Sequence, residues 1–134
     1  MKQTLIDTDI LSFYLRGDEE VVEKIITYLS EFPTLNISYI TYFEILKGLE
    51  YKQATKQITT FKDFISQCSL INIDKNSIQI SSKIYGNLRR KGVSIGISDL
   101  LIAGIAIKHE LQLITNNTKH FENIEELDVT NWKK

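Results

Sequence analysis

The 134-residue chain is 43% hydrophobic and 25% charged, ordinary globular usage that excludes a disordered chain. Its net charge of -1 gives no global pull toward nucleic acid, because that pull needs an excess of Lys and Arg over carboxylates. One cysteine, Cys68, excludes an internal disulfide.

No basic start precedes an apolar run and a small-residue cleavage site, so the expected compartment is the reducing cytoplasm. The most apolar stretch, Ile95 to Ile107, is shorter than the roughly 20 residues that cross a bilayer and carries Asp99, so no membrane span is expected. With one proline, six glycines, no linker-like stretch and no internal repeat, residues 1–134 read as a single domain.

Lys2 to Ile6 reads as a short strand ending at Asp7, followed by a helix from Thr8 to Leu15 that Gly17 stops. Asp7 therefore stands where a strand meets a helix, with Asp9 close by. Two readings of Asp7-Thr8-Asp9 are open: helix capping, which Asp and Thr favour, and a site at the sheet edge.

Asp18 to Glu31 places Val21, Val22, Ile25, Ile26 and Leu29 at helical spacing, and Pro33 ends the run before a strand at Leu35 to Ile37. Ser38 or Thr41 can cap the next helix, which runs to about Tyr51. Within it Glu44 sits among large apolar neighbours in Tyr42-Phe43-Glu44-Ile45-Leu46, where burial without a cation would be expensive. Thr41-Tyr42-Phe43-Glu44 also matches a capping box, which would turn the glutamate back onto the backbone.

Thr55 to Gln67 puts Ile58, Phe61, Phe64 and Ile65 on one helical face, and a strand follows at Leu70 to Ile73. Asn76 to Lys91 is a further helix. Ser98 is the expected cap of an apolar helix reaching His109. Asp99 opens that helix with no Arg or Lys nearby in sequence, so a buried charge there should find a partner. A first-turn aspartate is also simply favourable to the helix dipole, by about 0.3–1 kcal/mol. Strands at Leu111 to Thr115 and Leu127 to Val129 complete the pattern; Asn117, just past the first of these, reads as a polar turn or as a neutral oxygen ligand.

Alternating strands and helices imply an α/β fold: a central, mostly parallel sheet of four to five strands flanked by helices, with sites at the carboxyl ends of the strands. Three carboxylates and an amide at such positions suit a hard cation such as Mg²⁺. Cys68, His109 and His120 lack paired zinc-ligand spacing, and both histidines read as surface residues. There is neither a phosphate-binding glycine loop nor a Gly-x-Ser-x-Gly turn.

The segments Leu5-Ile6-Asp7-Thr8-Asp9-Ile10-Leu11, Phe43-Glu44-Ile45-Leu46-Lys47-Gly48 and Ser98-Asp99-Leu100-Leu101-Ile102-Ala103 resemble the PIN-domain nucleases, specifically VapC-like toxins. The tail from Leu113 to Phe121 and the ending Leu127-Asp128-Val129-Thr130-Asn131-Trp132 extend the likeness over the whole chain. The resemblance implies a PIN-like three-layer sandwich. It also implies a Mg²⁺- or Mn²⁺-dependent endoribonuclease that is the toxin of a type II toxin-antitoxin pair and cuts structured RNA such as tRNA or rRNA. As partners it implies a small antitoxin and a second copy in a homodimer.

Carried over residue by residue, the family's acidic positions fall on Asp7, Glu44 and Asp99. The fourth falls on Asn117, a departure that implies weaker or fewer metal contacts. Asp7 and Asp99 would hold the metal, Glu44 would position or deprotonate water, and Asn117 would orient a water or phosphate oxygen, with Asp9 and Thr115 in support. Lys47, Lys52, Lys56 and the Arg89-Arg90-Lys91 run are candidates for gripping RNA.

Two other classes compete. Ile6-Asp7-Thr8-Asp9 resembles the opening of haloacid-dehalogenase phosphatases, although Leu11 stands where that motif wants threonine. The chain also reads as a non-catalytic RNA- or partner-binding module marked by Asn117.

Overall fold

The computed structural model describes residues 1–134. In chain order β1 (Thr4–Ile6), α1 (Thr8–Leu15), α2 (Glu19–Glu31), β2 (Asn36–Ser38), α3 (Tyr39–Tyr51) and α4 (Thr55–Ile65) precede β3 (Ser69–Ile71). Then come α5 (Lys75–Arg90), α6 (Ile97–Lys108), β4 (Gln112–Ile114), α7 (Thr118–Phe121) and β5 (Val129–Thr130). The strands pair in the order β3-β2-β1-β4-β5, and all four pairings are parallel. The expected α/β sandwich is present, with five strands and no antiparallel edge.

Parallel strands covered on both sides must be apolar on both sides. β1 meets this requirement: Leu5 and Ile6 are both fully buried but belong to different cores. Leu5 and Leu113 pack with Leu100, Ile102 and Ile105 of α6, Ile84 and Leu88 of α5, and Phe121 of α7. Ile6, Ile37 and Ile114 face Ile10 and Leu11 of α1, Ile25 and Tyr28 of α2, and Phe61 of α4. α3 closes the gap, giving Ile40 to the first core and Tyr42, Ile45 and Leu49 to the second.

α5 and α6 approach so closely that a Cβ on Gly104 would lie 2.6 Å from the Ser77 carbonyl oxygen and overlap the Ser81 hydroxyl. That hydroxyl donates to the Leu100 carbonyl at 2.7 Å, so the seam is sealed by a hydrogen bond as well as by contact. Between α1 and α2, Gly17 takes a positive φ of 79°, which a side chain would strain.

Several local expectations give way. Of the two expected caps of α3, Ser38 holds: its hydroxyl accepts from the Thr41 N–H at 3.0 Å. Thr41 lies inside the helix, so the Thr41–Glu44 capping box does not form. Ser98 does not cap α6: the cap position is Gly96, with no side-chain bond, and the helix opens at Ile97. The one-turn helix α7 carries too few residues for a periodic signal and went unpredicted. No helix is long and apolar enough to cross a membrane.

The order of the strands places the site. From β1 the chain moves outward through β2 to β3, then returns to the other side of β1 for β4 and β5. Connections therefore leave the carboxyl ends of β1 and β4 in opposite directions, the arrangement that opens a crevice for ligands.

Candidate active site at the carboxyl rim

Asp7 is the first residue past β1, and its N–H donates to the Ile114 carbonyl at 2.9 Å, fixing it against β4. One carboxylate oxygen accepts from the Thr8 N–H and the other from the Thr115 hydroxyl, each at 2.8 Å. So Asp7 does cap α1, and it is also buried, at 5% exposure. Burial, reinforced by the neighbouring charge of Asp9 and, more weakly, of Asp99, pushes its pKa up to about 6.

Asp9, in the first turn of α1, accepts from the Ile10 N–H at 2.7 Å and the Asn116 N–H at 3.0 Å. Burial raises its pKa despite these bonds. Thr115 links the two ends of the chain at the rim: its hydroxyl donates to Asp7 and accepts from the Asn117 N–H at 3.1 Å. Asn117 is exposed at the cap position of α7, and its side chain makes no capping bond, so the amide is free to meet a ligand. Asn116 is held from the other side by the Asn131 amide at 3.0 Å.

Glu44 projects from the second turn of α3 and accepts from the Thr8 hydroxyl at 2.7 Å. The Thr41 hydroxyl lies 3.0 Å from that of Thr8. With its single proton committed to Glu44, Thr8 accepts from Thr41, and the pair fixes the glutamate against the first residue of α1.

Asp99 lies in the first turn of α6, and its oxygen is 3.1 Å from His120 Nδ1. His120 is at the surface, as read from the sequence, and it is also the partner that Asp99 was expected to need. The partner lies 21 residues away on the unpredicted helix α7, out of reach of any local pattern.

The structure therefore gathers Asp7, Asp9, Thr115 and Asn117, brings Asp99 within Coulombic range, and joins Glu44 through Thr8. No three carboxylate, imidazole or thiol side chains converge on one point, because each carboxylate turns to a local donor. None of Asp7, Asp9 and Glu44 is paired with Lys or Arg. The available donors are carboxylate, hydroxyl and amide oxygens, with the single imidazole of His120 beside Asp99, a set dominated by oxygen that suits a hard divalent cation.

Beside Thr8 and Glu44 a cleft of about 510 Å³ opens between α1, α3 and α4. Arg16, Lys52 and Lys56 line it. Lys47 instead lies over the Phe43 ring, 5.4 Å from its centroid. Arg89 and Arg90 bond to Ser94 and Asn87 near the end of α5 and do not line the cleft. A smaller hollow of about 210 Å³ lies between α5 and α6, walled by Ile78, Tyr85, Ile97 and Leu101.

Residues 4–127 match the PIN domain family. Among curated proteins, the chain is 31% identical over 130 residues to Ribonuclease VapC1 of Methanocaldococcus jannaschii, covering 97% of this chain and 87% of that one. It is 27% identical to the tRNA(fMet)-specific endonuclease VapC of Salmonella typhimurium, covering 98% and 99%. Among solved structures, VapBC2 from Rickettsia felis, bound to a DNA fragment from its promoter, contains a chain that superposes with a TM-score of 0.88. That chain is 26% identical, with 97% and 98% covered.

Proposed function

The chain belongs to the PIN-domain family and is an endoribonuclease of the VapC toxin kind, and on that premise we propose that its rim carboxylates hold Mg²⁺ or Mn²⁺ for phosphodiester hydrolysis. The observation that carries this reading is the buried, unpaired Asp7, its pKa raised to about 6 beside Asp9 and Asp99. Such clustered negative charge is costly in the protein alone and suits a cation. Asp7 and Asp99 are the proposed ligands.

When bound, the ion supplies positive charge at the scissile phosphate and makes a nearby water more acidic. Glu44 positions that water or takes its proton, with the Thr8 hydroxyl holding the carboxylate in place. Thr115 fixes the rotamer of Asp7, and the free amide of Asn117 orients a phosphate oxygen or water. The substrate is structured RNA, tRNA or rRNA, the former being what the Salmonella relative's name specifies.

The partner is a small antitoxin, as in the VapBC complexes that share this fold. A homodimer is the proposed assembly: Ile78, Tyr85 and Ile97 expose 41%, 51% and 76% of their surface around one hollow, more apolar area than a lone chain gains by showing. The proposed location is the cytoplasm. Family membership removes the phosphatase alternative.

Expression of wild type beside Asp7→Ala in bacteria, reading growth and RNA integrity, tests the mechanism. Growth arrest with RNA cleavage from wild type alone is expected. Equal toxicity from both would overturn it.

A further inference from the structure

The cleft beside Glu44 has a polarity that the catalytic reading does not use. α1 begins at the rim with Asp7 and Thr8 and ends at Arg16; α3 carries Glu44 near its start and ends at Lys52. Each helix therefore spans from acid to base over about 12 Å. Lys56 joins them from the first turn of α4.

Cations at the ends of α1 and α3 suit the helix dipoles, which would be the ordinary explanation. Lys56 does not fit it, because the start of a helix is the positive end of its dipole and disfavours a cation. All three bases are exposed, none is in an ion pair, and Glu44 is the only carboxylate lining the cleft. The cleft thus concentrates positive charge in a chain whose net charge is -1. Its one aromatic, Phe61, is buried at 2% exposure and offers no face for a base to stack on. Ser12, Gln57 and Thr60 add neutral donors and acceptors of the kind that meet ribose hydroxyls.

We propose that Arg16, Lys52 and Lys56 form a subsite for the sugar-phosphate backbone of the RNA strand flanking the bond that is cut. This rests on the endoribonuclease reading and adds to it a direction: the strand leaves the rim between α1 and α3 toward α4. It also assigns recognition there to backbone charge, since the cleft offers no exposed aromatic face for a base to stack on. Attraction at this subsite offsets the repulsion that phosphates meet at the carboxylate rim.

The test compares steady-state cleavage of total bacterial tRNA by wild type and by the Arg16→Gln/Lys52→Gln/Lys56→Gln variant, across a salt series. A control variant, Lys24→Gln/Lys83→Gln/Lys134→Gln, removes the same charge from exposed positions outside the cleft. For the cleft variant, KM should rise about tenfold or more and the slope of log KM against log salt should fall by about 2, or roughly 0.7 per phosphate contact. Its kcat should stay within about twofold, and the control should match wild type. Arg16→Lys, which keeps the charge, should retain most of the affinity.

An unchanged KM and salt slope in the cleft variant, with wild type active, would overturn the subsite and leave the nuclease reading standing. Loss of poly(glutamate) binding with RNA kinetics intact would also overturn it, assigning the cleft to an acidic protein segment. A wild type that cleaves no RNA would overturn both readings at once.

Discussion

The chain treats its carboxylates in two opposite ways. On the periphery Asp18 is bound by Lys133 at 2.7 Å and Asp128 by Lys2 at 2.6 Å, and each lysine holds its partner's pKa down. At the rim Asp7 and Asp9 have no lysine or arginine, and burial holds both up. The peripheral pairs are screened and contribute little; the rim stores an electrostatic cost that folding alone does not repay. A fold that keeps such a cost at the one place where its strand connections diverge is organised around something that arrives later.

The largest effect should come from neutralising the rim. Asp7→Asn keeps the size of the side chain and one of its two acceptor oxygens, the amide nitrogen replacing the other with a donor, and should abolish RNA cleavage; Glu44→Gln should lower kcat by about 10²-fold or more. Cleavage at the wild-type rate by either, followed on total tRNA, would erase the contrast between the two regions.

Stability should move the opposite way. A carboxyl group whose folded pKa lies above its unfolded value contributes stability at low pH and loses it as pH rises through the folded value. For Asp7 that window runs from about 3.8 to about 6, and the cost above it is on the order of 3 kcal/mol. Thermal melts in chelator should therefore show Asp7→Asn gaining on wild type as pH rises from 4 to 7. Adding Mg²⁺ should close the gap by stabilising wild type, by about 2.7 kcal/mol at a hundred times its Kd. For Asp18 and Asp128 the sign reverses: their pKa values are lowered, so their contribution is lost on acidification.

A neutral lesion separates charge from packing. Gly104→Ala forces a methyl against the Ser77 carbonyl and should cost about 1–3 kcal/mol, at equal size across that pH range. The smallest effect belongs to the periphery: Lys2→Met should change stability by less than about 1 kcal/mol and leave cleavage untouched. A larger loss in denaturant melts would mean that the exposed pair carries more than screening allows.

The sequence made much of this legible because the physics is local there. Apolar periodicity located every helix longer than one turn, and the end of an apolar strand located Asp7. What stayed hidden depends on contacts made only in the folded chain. Thr41-Tyr42-Phe43-Glu44 satisfies the capping pattern, but Ser38 takes that role and Thr8 claims the glutamate. His120 meets Asp99 from a helix too short to show a period. Arg16 was not singled out, because only the packing of α1 against α3 shows which way the cleft runs.

The place of β1 between β2 and β4 also bears on how the molecule is made. Asp7 leaves the ribosome 108 residues before the Thr115 hydroxyl that orients it, and before β4 can pair with β1. Until then the central strand has a neighbour on one side only. A half-made chain thus lacks the hydrogen bond that orients Asp7, and the rim is complete only once β4 has paired.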